Sequence, residues 1–137
     1  MRQQPDDRTI ADDDQLWRGL QSDQLIKQDG GGYRVASSAF KTDGYGEVSV
    51  NVARLTTQER ALSNAPSGHM AEVEAGLPRS FCFGDEPSQS VCYTVALYAE
   101  NNNPGHAHIH PPDTITKSQR DKCAKKMALK ARIVPPL

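Results

Sequence analysis

Three histidines at alternate positions, His106-Ala-His108-Ile-His110, are the residues of this chain whose type and spacing suit chemistry. In an extended segment successive side chains point to opposite faces. The three imidazoles would therefore share one face while Ala107 and Ile109 take the other. Neutral imidazole nitrogens placed this way can bind one divalent metal such as zinc. Asp113 is close enough in sequence to supply a carboxylate, and His69 could arrive from elsewhere. The candidate metal ligands are thus His106, His108, His110 and Asp113. The plainer reading is a polar edge strand, set between the turn Asn101-Asn-Asn-Pro-Gly105 and the stop Pro111-Pro112.

The same alternation resembles the signature of the histidine-triad nucleotide hydrolases and transferases, in which histidines alternate with apolar residues. That resemblance implies a phosphate-attacking nucleophile at His108. The last two positions depart from the family, because Pro111 and Pro112 stand where it carries apolar strand residues. Its upstream strands, helix and acidic ribose-binding residue have no recognisable counterpart here. Elsewhere, Leu16-Trp-Arg18, Ser37-Ser-Ala-Phe40 and Glu47-Val-Ser-Val50 together resemble a group of small uncharacterised bacterial proteins. This second resemblance implies no activity, and histidine alternation is not that group's hallmark.

A basic stretch forms the next candidate. From Lys117 to Arg132 there are seven cations against one acid, Asp121. Lys117, Lys122, Lys125, Lys126 and Lys130 could track a phosphate backbone or an acidic protein surface. A solvated helix face is the commoner outcome, and no aromatic side chains are interleaved for base stacking. The acidic N-terminal segment, with Asp6, Asp7, Asp12, Asp13 and Asp14, could also lie against this helix.

No nucleophile elbow or phosphate loop is present, since Gly30-Gly-Gly32 lacks the lysine and the strand-to-helix setting. The cysteines, Cys82, Cys92 and Cys123, are odd in number and lack a C-x-x-C spacing, which disfavours a disulfide scaffold or a zinc knuckle. Pairing Ser80–Phe83 with Val91–Thr94 about Pro87 would set Cys82 opposite Cys92. The expectation is nevertheless two buried small hydrophobes, with Cys123 in the core. These cysteines, an N-terminus without an apolar signal region and the lack of a membrane span suggest a soluble, cytoplasmic protein.

At 137 residues and a net charge of −1 the chain fits one domain with no global pull towards nucleic acid or membranes. Residues 1–14 read as a polar, extended or mobile arm and residues 15–137 as a single domain. Asp12 to Leu20 suggests a short helix opened by acids, and Tyr33 to Ala36 a first strand. Val48, Val50 and Val52 alternate within a strand from Glu47 to Ala53. Thr56 with Glu59 marks a capping box and a short helix, and Met70 to Ala75 a further strand. Ser80–Phe83 and Val91–Tyr98 read as a hairpin, and Thr116 with Gln119 caps a helix running to about Arg132. The fold expected is α+β, an antiparallel sheet of about five strands with a C-terminal amphipathic helix. The function expected is an accessory or interaction module with a protein partner. The alternatives are a metal-dependent or histidine-triad-like hydrolase and a nucleic-acid-binding helix.

Overall fold

The computed structural model of the chain describes residues 3–43, 46–86 and 90–135. Its centre is a six-stranded antiparallel sheet. The strands are β1 (Gln15–Gly19), β4 (Val48–Val52), β5 (Met70–Glu74), β8 (Thr94–Leu97), β9 (His106–His110) and β10 (Arg132–Ile133), in spatial order β10-β5-β1-β4-β9-β8. Two small hairpins complete the strands among the described residues: β2 (Leu25–Lys27) with β3 (Tyr33–Val35), and β6 (Cys82–Phe83) with β7 (Val91–Cys92). The helices are α1 (Gln58–Leu62), α2 (Gly76–Arg79) and α3 (Lys117–Lys130). None of the described helices is long and apolar enough to cross a membrane. The α+β class and the C-terminal helix are as the sequence suggested, with one strand more in the main sheet.

Alternation divides the sheet into two faces. Leu16 pairs with Val52 and Val73, Val50 with Ala107, and Ile109 with Val48 and Val95. All eight are buried and form one face of the core, against which α3 sets Cys123, Ala124, Met127 and Ala128. Thr116 and Gln119 form the expected capping box at the start of α3, each side chain bonding the other's backbone N–H. The other face carries Trp17, Ser49, Asn51 and the three histidines.

Several expectations change. The stretch from Asp12 to Leu20 is not a helix. The aspartates sit in turns and Gln15–Gly19 is a strand, because Leu16 must face the core between two neighbouring strands. The cap of α1 is Thr57, whose hydroxyl accepts from Arg60 N, and not Thr56. The stretch from Val91 to Tyr98 breaks at buried Tyr93 into β7 and β8. Most consequentially, the histidine segment is not an edge strand. It lies inside the sheet between β4 and β8. Gly105 makes this approach possible: its carbonyl accepts from Val52 N, and an added Cβ would lie 3.1 Å from both Val52 O and Thr56 Cβ.

The N-terminal arm, expected to be extended or mobile and able to lie against the basic helix, runs beside β8. Asp7 N donates to Val95 O, and Val95 N donates to the Asp6 carboxylate. Arg79, whose side chain is only 6% exposed, binds Asp6, Asp12 and the Asp7 carbonyl. Ile10 is fully buried. The arm thereby satisfies an otherwise open strand edge.

Cys82 and Cys92 face each other across β6 and β7, as symmetric pairing about Pro87 would have it, although Pro87 itself lies outside the described residues. They form a disulfide and are not buried small hydrophobes, while Cys123 is the buried free thiol. Closing a loop with a sequence separation of 10 stabilises the fold by about 2–3 kcal/mol through the unfolded chain. Reductant should lower the urea midpoint accordingly, and peptide mapping should find Cys82 linked to Cys92. Three free thiols with a midpoint indifferent to reductant would contradict this pairing.

Candidate metal centre

Strand β9 builds the site. Its register sets Ser49 beside His108 and Asn51 beside His106, and one further step along β4 brings Glu47 across from His110. On the other side, Thr94 and Ala96 of β8 flank His110 and His108. His106, His108 and His110 therefore do line one face, their rings in successive edge-on contacts at centroid separations of 4.8 and 5.6 Å. Tyr98, just past β8, stacks on His108 at 4.9 Å and 24°. The Gln3 side-chain amide donates to the backbone carbonyls of both Cys92 and His110, tying the arm and the disulfide hairpin to the end of β9.

The carboxylate is Glu47. Its Oε2 lies 3.0 Å from His108 Nδ1 and 3.7 Å from His110 Nε2. The His108 and His110 side chains are 7% and 5% exposed, and that of Glu47 13%. Despite this proximity neither nitrogen has a hydrogen-bond partner among the described residues. Burial, with His106 and His110 alongside, pulls the His108 pKa down to about 4, and burial also lowers that of His110. Both rings are then neutral at pH 7, so the contact with Glu47 is not an ion pair. Glu47 itself is shifted upwards, first by burial and then by Asp43, with His106 opposing.

Buried polar atoms without partners are rare, because each forfeits its hydration. Here two such nitrogens and a carboxylate oxygen converge, all within 4.8 Å of one another. A metal–donor distance of about 2.1 Å spaces ligand atoms roughly 3–4 Å apart, matching both contacts to Glu47. Two neutral imidazoles and one carboxylate also form a donor set suited to zinc. The residues present therefore fit a metal ion.

The remaining sequence candidates lie elsewhere. Asp113 is exposed and accepts from Gln3 N instead of joining the cluster. His106 sits outside the three-donor group, its Nδ1 2.9 Å from Glu100 and 3.1 Å from the Tyr98 carbonyl. His69 packs on Tyr33, away from the cluster. Lys117, Lys122, Lys125, Lys126 and Lys130 are all exposed; Lys117 pairs with Asp121, and Lys126 stands 6.0 Å over the Phe81 ring. Glu47, Tyr98 and Glu100 were not singled out from the sequence as site residues. For Glu47 a signal existed, since it heads the alternating Val48–Val52 strand in the register of its polar face.

The pH dependence follows from the two imidazoles. In metal-free protein the unfolded chain takes up protons near the ordinary histidine value of 6.5, whereas folded His108 does so only near about 4. Stability is full above the first value and is lost as pH falls towards the second. The raised Glu47 works in the opposite sense and offsets part of the loss. Urea midpoints should fall between neutral pH and about pH 4, and His108→Phe should flatten the curve. A flat wild-type curve would contradict buried neutral imidazoles. Compared with known proteins, the chain matches no family model, no curated protein and no solved structure.

Proposed function

We propose that this protein binds one divalent ion of the zinc class between Glu47, His108 and His110. One observation supports this above all: two buried imidazole nitrogens without hydrogen bonds point to the same carboxylate oxygen. Imidazole donors favour zinc and its transition-metal neighbours over magnesium or calcium, which prefer oxygen. Two histidines and a glutamate leave a coordination position for water or a ligand, the pattern of catalytic and not structural zinc. A bound ion would supply Lewis acidity and an activated water, so hydrolysis is the reaction class that suits the centre.

The chain's own residues define the surroundings. Glu47, Ser49, Tyr98, Glu100, His106 and His108 line an open cleft of about 470 Å³. Tyr98 shields one face of His108, and the polypeptide arm supplies Gln4 to the rim. The burial of His108 suits ligation better than attack on a phosphate, the role the histidine-triad resemblance would give it. The exposed lysine face of α3 suits an acidic partner or nucleic acid only in the general sense that any solvated basic helix does, so no function is assigned to it. The disulfide favours an oxidising compartment over the cytoplasm suggested by the cysteine count.

The test is metal analysis of protein prepared without a histidine tag and reconstituted with zinc. One equivalent should survive gel filtration. His108→Ala and Glu47→Gln should each weaken zinc by more than about tenfold, the scale on which even outer-shell changes act. Asp113→Asn should not. Absence of stoichiometric zinc, or uptake indifferent to His108 and Glu47, would contradict the proposal.

A further inference from the structure

The metal cleft also carries information about what it receives. The aromatic ring of Tyr98 stacks on His108, yet the residue remains 51% exposed, so its outer side offers a π-surface at the mouth. Beside it stands Glu100, with a side chain 52% exposed and one oxygen 2.9 Å from His106 Nδ1. That nitrogen also lies 3.1 Å from the Tyr98 carbonyl. His106 Nδ1 thus sits between the Glu100 carboxylate and the Tyr98 carbonyl, placing the two residues side by side. The carboxylate and the exposed ring are therefore held together at the rim by β9 itself.

Charge points the same way. Three carboxylates, Asp43, Glu47 and Glu100, line the cleft, and no lysine or arginine does so among its described residues. Arg18 acts on Asp43 from behind, but it is bonded to the carbonyls of Ala39 and Ser49. A phosphate or carboxylate ligand would find no lysine or arginine among the described lining residues, and Glu100 as a repulsive neighbour. An ammonium group would find a carboxylate and an aromatic face together, the pairing that holds cations best at exposed sites. His108 and Glu47, two of the three donors of the proposed centre, also line this cleft, so a ligand held there would lie beside the ion.

We propose that the ligand of this cleft is a small amine-bearing molecule, its ammonium group held by Glu100 and Tyr98 while an oxygen takes the open metal position. This rests on the metal centre proposed above. It excludes nucleotides and other phosphate compounds as the preferred ligand class.

Three hydroxamates of equal chain length test it on the zinc-loaded protein, one ending in an amine, one in a methyl group and one in a carboxylate. All present the same metal-binding group, and zinc content is measured in every sample. The amine should bind at least about tenfold tighter than the carboxylate, as a cation–π contact and an ion pair together would give. The methyl compound should fall between them. Glu100→Gln and Tyr98→Leu should each reduce the amine's advantage over the methyl compound. Equal or tighter binding of the carboxylate, or an amine preference unchanged by Glu100→Gln, overturns the proposal while leaving the metal centre intact. Protein that retains no zinc overturns both.

Discussion

The placement of β9 inside the sheet is the constraint on which the rest depends. One five-residue strand must serve two environments at once. Ala107 and Ile109, both fully buried, complete the core face, while His108 and His110 are buried on the opposite face. Hydrogen bonding to β4 and β8 fixes the strand's register, and a slip of one residue would exchange the two sets. The imidazoles are therefore held in place by the same pairing that builds the core. Such rigidity is what a binding site needs from its scaffold.

That arrangement has a cost. Two buried nitrogens without hydrogen bonds, against a carboxylate pushed towards its neutral form, would destabilise the fold if nothing satisfied them. Binding of an ion to the folded state alone would reverse the deficit by mass action. The surrounding structure is correspondingly over-determined. The arm is fastened by Arg79 and Arg54, the disulfide closes the hairpin leading into β8, and Gln3 joins both to His110. Each of these ties bears on the strands that carry the site, and none is itself a ligand.

Much of this was legible in the residues. The alternation of valines in β4 and of histidines in β9 marked two strands and the shared face of the imidazoles. The capping box at Thr116 marked the start of α3, because a cap is a local device. What escaped was non-local. Whether β9 lies at an edge or in the interior depends on β8 pairing with it, and periodicity within one strand is silent on that. Asp113 is near the histidines in sequence, but Pro111-Pro112 ends the strand and Asp113 ends at the surface. The spacing of Leu16 and Leu20 fits a helix as well as a strand, and only the neighbours β4 and β5 decide between them. The cysteines follow the same rule: an odd count hides a pair whose pairing is set by hairpin register.

The central claim is that Glu47, His108 and His110 together bind a metal ion. X-ray absorption at the zinc edge of the zinc-loaded protein tests it most directly, because it reports the ligand atoms themselves. The expected result is a shell of nitrogen and oxygen at about 2.0–2.1 Å with the outer-shell scattering of two imidazoles. Sulfur at about 2.3 Å, or an oxygen shell without imidazole scattering, would contradict it.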